Sequence, residues 1–328
     1  MKPIVAQMLQ NKAKTMPILS FPSAQLIGCT VAELVTDSEK QVAGMRAIAE
    51  KCPISASLHM MDLSVEAEAF GAEILFEENE IPTVVRPLLT DIDEAARLEV
   101  PAIGTKRTGT FIEGVRRAKQ ELGSLPVFCG VIGPYSLAGR LMDMTELMMA
   151  CYDDEEQVHL LLGKCTRFIT DYIAAFRAAG ADGVVLAEPA AGLLSPSFCE
   201  DFSNRYVRRI FETAGSHDFV LVYHNCGNTV SLAEGLRTLG ADVYHFGNAV
   251  DMEEMLKALP EADAVMGNLN PVDLRTGTPE QVARDTQALL TRCAKYPNFI
   301  ASSGCDIPAD SQWENITAYF DAVQNFYK

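Results

Sequence analysis

The chain has 328 residues, 48% of them hydrophobic and 22% charged, which is enough apolar material for a large core and excludes a disordered chain. A formal net charge of −17 excludes nucleic acid and anionic membrane as principal partners. No apolar run nears membrane-spanning length and the N-terminus has no secretory-type apolar core, so a cytoplasmic protein is expected, with most of its nine cysteines free core thiols and no disulfides.

The first 50 residues read as a helical extension, and residues 51–328 as a single barrel domain. Strand signals begin with ISASL (54–58) and continue with AEILFEE (72–78). A helical stretch near 109–122 leads into PVFCGVIG (126–133). A long helical pattern covers about 155–179, GVVLAEP (183–189) is the fourth strand, and a helix starts at Pro196. FVLVYHNC (219–226), VYHFG (243–247), AVMGNLNP (264–271) and FIASSGCDI (299–307) complete the strands. Helices near 251–259, 279–295 and 311–326 separate or follow the last of them. Eight nearly continuous apolar strands alternating with helices are the pattern of a parallel sheet covered on both faces. They predict an α/β fold, a (β/α)₈ TIM barrel with a helical N-terminal extension. No G-x-G-x-x-G follows the first strand, which argues against an open doubly wound sheet.

In such barrels the active site gathers at the C-terminal ends of the strands. The later strands here end in AEP, HNC, HFGN, GNLNP and GCD, whereas their starts are bland. That asymmetry points to an enzyme. Within FVLVYHNC, His224 and Cys226 are two residues apart and share one face of the strand. With Cys305 they make a candidate metal site, two thiolates and one imidazole, which suits zinc with an open fourth position. The alternative is that both cysteines are small buried apolar residues and His224 a core histidine with its hydrogen bonds met. Glu188 and His245, ending the fourth and sixth strands, are candidate catalytic groups. Glu66, Asn248, Asn268 and Asn270 are candidate substrate-binding residues, with a solvated helix face (Glu66) or turn-shaping (Asn268, Asn270) as the competing roles. His59, just after the first strand, could also face the pocket.

Longer stretches carry a resemblance. EAEAFGAEILFEENEIP (66–82), GPYSLAGRLM (133–142), LSPSFCEDF (194–202), GNLNPVDLRTGTPEQV (267–282) and SSGCDIPADSQWENI (302–316) resemble the uroporphyrinogen decarboxylase superfamily. The resemblance spans most of the chain and implies a (β/α)₈ barrel. The decarboxylases themselves carry an arginine-rich N-terminal motif that grips substrate carboxylates. The matching segment here, MPILSFPSAQLIG (16–28), has no arginine, and the first in the chain is Arg46. HNC and GCDIP instead resemble the branch of corrinoid-dependent methyltransferases, including methylcobamide:coenzyme M methyltransferases. That branch implies zinc on His224, Cys226 and Cys305. It also implies a methylcobamide corrinoid on a separate carrier protein, since a D-x-H-x-x-G carrier fingerprint is absent, and a small thiol or methylated small molecule as partner. Related enzymes can complete the zinc shell with a Glu near the end of the next strand. VYHFGNAVD (243–251) has none there, leaving His245, Asn248, Asp251, Glu188 or water. The readings that follow are methyl transfer to a thiol, demethylation of a small methylated substrate toward the corrinoid, decarboxylation of a porphyrinogen, or a binding protein on a degenerate barrel.

Overall fold

The structure, a computed structural model, describes residues 1–328. Nine strands form: β1 (Ser57–Leu58), β2 (Ile74–Leu75), β3 (Thr83–Val84), β4 (Val127–Ile132), β5 (Gly183–Ala187), β6 (Val220–Asn225), β7 (Val243–Phe246), β8 (Ala264–Leu269) and β9 (Phe299–Ser303). Seven of them make one parallel sheet in the order β1-β4-β5-β6-β7-β8-β9. Helices between consecutive strands cover its outer face, which gives the TIM-barrel-like α/β architecture that the apolar strands predict.

Two expectations need correction. The stretch 72–78 is not a barrel strand: Ile74–Leu75 pairs antiparallel with Thr83–Val84 in a separate two-stranded hairpin. Its residues are mostly exposed, so the apolar signal of ILF reflects an uncovered hairpin and not a core strand. Nor is the N-terminal segment only a helical extension. Between the helix Pro3–Gln10 and the helix Ser23–Ile27, residues 15–18 run between the sheet's two edge strands. Thr15 bridges Ile54 in parallel, and its carbonyl accepts the Ser55 N–H at 2.8 Å. On the other side Ser302 Oγ donates to the Met16 carbonyl at 2.9 Å, and Ile18 N–H donates to Ser303 Oγ at 3.0 Å. Side-chain bonds replace most of the ladder there, which is why no strand periodicity is visible in KTMPILS.

The interior follows from the two-residue period of strands. Ala56 and Leu58, Phe128, Val185 and Ala187, Val220 and Val222, Val243, Ala264 and Met266, and Ile300 pack together inside the ring. Met16 and Ile18 join them, and Val5 and Met8 of the first helix pack into the same cluster. The alternate residues face the surrounding helices in a second, larger core. Along β6 the inward set 220, 222 continues to His224, and along β7 from 243 to His245. These two histidines are register partners, so parity and register alone bring their rings together inside the barrel.

Candidate metal centre and active site

His224, Cys226 and Cys305 converge, with all three ligand atoms within 4.8 Å of one another. His224 Nε2 lies 3.7 Å from Cys305 Sγ. His224 is buried, whereas both cysteines are half-buried at the barrel mouth. Two glycines let the loops meet. A Cβ at Gly247 would lie 2.6 Å from Cys226 Cα, and one at Gly304 would lie 2.8 Å from the Asn248 nitrogen. The loop bearing Cys305 is tied to the N-terminal segment by the Ile307 N–H on the Ile18 carbonyl at 2.9 Å.

The hydrogen-bond chain behind His224 fixes its tautomer. The Ser303 carbonyl only accepts, so His245 Nε2, 2.8 Å away, carries a hydrogen. Ser302 Oγ lies 3.1 Å from the same nitrogen. Burial holds His245 neutral, pushing its pKa well down, so its Nδ1 is bare. That Nδ1 lies 2.6 Å from His224 Nδ1, which must therefore be the donor. A neutral His224 then presents a lone pair on Nε2, toward the cysteines. This is the arrangement by which an outer hydrogen bond orients a ligating histidine. Cys305 and then His224 pull the Cys226 thiol well below its usual range, while Cys226 and burial push Cys305 up. The donor set, two cysteine sulfurs and one imidazole lone pair, fits a borderline-soft, tetrahedral ion.

The other sequence candidates fall in different places. His245 is fully buried and touches His224, not the mouth. Glu188 is fully buried, and its two oxygens accept the Tyr135 N–H at 3.0 Å and the Ser136 N–H at 2.7 Å, capping the helix Pro134–Met142. Burial raises its pKa to about 7. The structure does not group it with the three ligands. Glu66 accepts the Ile132 N–H at 3.0 Å on one oxygen, its other oxygen is buried without a partner, and burial raises it to about 7. Asn268 spends its amide on the Gly247 and Val250 carbonyls, both at 2.9 Å, and so shapes the loop after β7. Asn270 caps the helix Pro271–Thr276 through the Val272 N–H. Asn248 is exposed beside Gly304, at the mouth. His59 packs edge-on to Phe111 and bonds Gln41, and burial pushes its pKa down to about 3; it lies in the outer core, away from the mouth.

Sequence reasoning passed over Ser302 and Ser303, although both stand in the quoted SSGCDIP. It also missed a buried clasp after β1. Arg107 pairs with Asp62, bonds Glu68 at 2.6 Å and donates to Ser64 at 2.9 Å. Asp62, two residues from Ser64 and just past an apolar strand, was the available signal.

The Uroporphyrinogen decarboxylase (URO-D) family matches residues 14–326. The chain belongs to this family. Among its relatives, the methylcobamide:CoM methyltransferase MtbA of Methanosarcina acetivorans is 26% identical over 270 residues, 81% of this chain and 78% of that one. The uroporphyrinogen decarboxylase of Xylella fastidiosa is 28% identical over 288 residues, 83% of this chain and 80% of that one. A solved methyltransferase from Methanosarcina mazei superposes with a TM-score of 0.88 over 100% of this chain and 99% of its own, at 21% identity, so the two share one fold along the whole chain.

Proposed function

We propose that this URO-D family chain is a zinc-dependent methyltransferase, moving a methyl group between a corrinoid held by a separate protein and a small thiol. The observation that carries this reading is the convergence of His224 Nε2 with the Cys226 and Cys305 sulfurs at the C-terminal end of the barrel. Three protein ligands leave a position for substrate, as catalytic zinc sites do. A zinc ion held by His224, Cys226 and Cys305 would lower the pKa of a substrate thiol and so supply a nucleophilic sulfur at neutral pH. The chain's own residues supply the rest. Ser303 and His245 hold His224 in its donor tautomer, and His245 acts through His224. Asn248 stands exposed at the mouth, free to hydrogen-bond a ligand.

A methyl donor on another protein has to be presented at that mouth. Leu75, Phe76, Val85, Leu193, Val230 and Val272 are large exposed apolar side chains on segments that follow β1, β5, β6 and β8. An apolar rim of this kind supports the docking of a partner. The methylcobamide:CoM relative supports the corrinoid chemistry. Residues 16–28 carry no arginine, so several substrate carboxylates have no fixed cation there.

Purified protein is expected to bind about one zinc per chain and to demethylate free methylcobalamin with at least one small thiol, read from the corrinoid's visible spectrum. Chelation should abolish the reaction. Carbon dioxide release from uroporphyrinogen would overturn the proposal. Zinc-loaded protein that ignores every thiol, yet demethylates a methoxylated or methylamine compound with a Co(I) corrinoid, would replace the thiol arm with a demethylase one.

A further inference from the structure

Six of the nine cysteines, Cys52, Cys129, Cys151, Cys165, Cys199 and Cys293, are buried. Burial raises the pKa of each, which leaves it an inert core thiol. Cys29 is half-buried, in the wall of a cavity that holds no second cysteine. Cys226 and Cys305 differ on both counts. They are half-buried at the barrel mouth, within reach of a small solute, and their sulfurs lie within 4.8 Å of each other. Sulfurs in a disulfide stand about 2.05 Å apart, so the gap left to close is about 3 Å at most.

The backbones that carry the pair are held without the sulfurs. Gly227 N–H donates to Asn225 Oδ1 at 2.8 Å, Gly304 N–H to the Leu269 carbonyl at 2.6 Å, and Ile307 N–H to the Ile18 carbonyl at 2.9 Å. Both sides also pack on one dipeptide. Cys226 lies against Gly247, and Gly304 lies against the backbone of Asn248. None of these contacts needs a metal, so the two side chains stay opposed when no ion bridges them.

We propose that Cys226 and Cys305 are a reversible redox switch, closed to a disulfide by a peroxide, which withdraws two of the three metal ligands at once. One sulfur attacks a peroxide oxygen, the O–O bond breaks, and a sulfenic acid and water result. The second sulfur then attacks the sulfenic sulfur, whose oxygen leaves as water, and the S–S bond forms. Two thiols are oxidised by two electrons in all, and one hydrogen peroxide is reduced to two waters. A dithiol reductant reverses the step by exchange, becoming a disulfide itself and returning both thiols. His224 is then the one ligand left, too few for a zinc site. The switch rests on the placement of the two sulfurs and not on methyl transfer.

The test treats zinc-loaded and chelator-stripped wild type with hydrogen peroxide, beside stripped Cys226→Ala and Cys305→Ala. Stripped wild type should lose two of its nine thiols, counted with a thiol-reactive dye after denaturation. Non-reducing peptide mass spectrometry should find the peptides of Cys226 and Cys305 joined. Zinc-loaded wild type should release its metal in step with that link, read with a coloured chelator, and dithiothreitol should restore both the thiols and zinc binding. Neither alanine variant should form the link, and the cysteine left in each should go on to sulfinic or sulfonic acid. The far-ultraviolet circular dichroism of oxidised wild type should match that of the reduced protein, because the flanking backbone bonds involve no sulfur. Sulfinic acid at either cysteine of wild type with no joined peptide overturns the switch. So does a disulfide between two chains on a non-reducing gel, zinc release that dithiothreitol does not reverse, or a loss of helical signal on oxidation. Protein that closes the disulfide but moves no methyl group keeps the switch and sinks the methyl-transfer reading. Protein that moves the methyl group but forms no disulfide does the opposite.

Discussion

His224 has two nitrogens, and only the one without a hydrogen can ligate. The relay from the Ser303 carbonyl through His245 leaves that lone pair on Nε2. Replacing His245 with Phe keeps a ring in the buried space but removes the acceptor for the His224 Nδ1–H. Zinc affinity, measured by chelator competition, is expected to fall about 10–100-fold. His245→Gln places an amide oxygen within reach of Nδ1 and should recover much of the loss. Equal zinc affinity in wild type and His245→Phe would show that the relay does not orient the ligand. Cys226 and Cys305 depend on something else, the close approach of two loops at Gly247 and Gly304.

Among the elements, the helix Pro134–Met142 depends on a strand end. Its first free N–H groups, at Tyr135 and Ser136, are satisfied by Glu188, which follows β5. A carboxylate at a helix N-terminus also meets the positive end of the helix dipole. Glu188→Ala should therefore cost about 1–3 kcal/mol of stability, since it orphans two buried donors. Urea denaturation measures that cost. A variant as stable as wild type but inactive would instead make Glu188 a reacting group.

At the scale of the molecule, the barrel buries carboxylates that ionise near neutrality. Glu66 and Glu188 are almost fully buried, and burial raises both from 4.5 to about 7. The folded state then holds protons that the unfolded chain releases. Their protonated forms contribute stability that is full below about pH 4.5 and is lost as pH rises to about 7. Glu66→Gln should flatten the dependence of unfolding free energy on pH between 5 and 8 by about 1–3 kcal/mol. Denaturant unfolding at the two pH values checks it, and an unchanged slope would mean that Glu66 is ionised in the folded protein throughout. The ring itself is closed by residues 15–18, and the same segment anchors the loop that carries Cys305. The two ends of the chain thus meet at the site.

The sequence by itself determined the parallel barrel, because strands covered on both faces must be apolar throughout, and FVLVYHNC and FIASSGCDI carry that signal locally. It also determined the pairing of His224 with Cys226, since alternation along one strand is a local property. Only the tertiary structure decided which polar residues have work left to do. Glu188, Asn268 and Asn270 stand at strand ends as expected, but their hydrogen bonds go to N–H and carbonyl groups contributed by other segments or by the next helix turn. Whether a polar group is free depends on those neighbours, which no local pattern specifies. The role of residues 15–18 was hidden for the same reason. Their bonds run to Ile54, Ser302 and Ser303, and a segment held by distant side chains leaves no periodicity of its own.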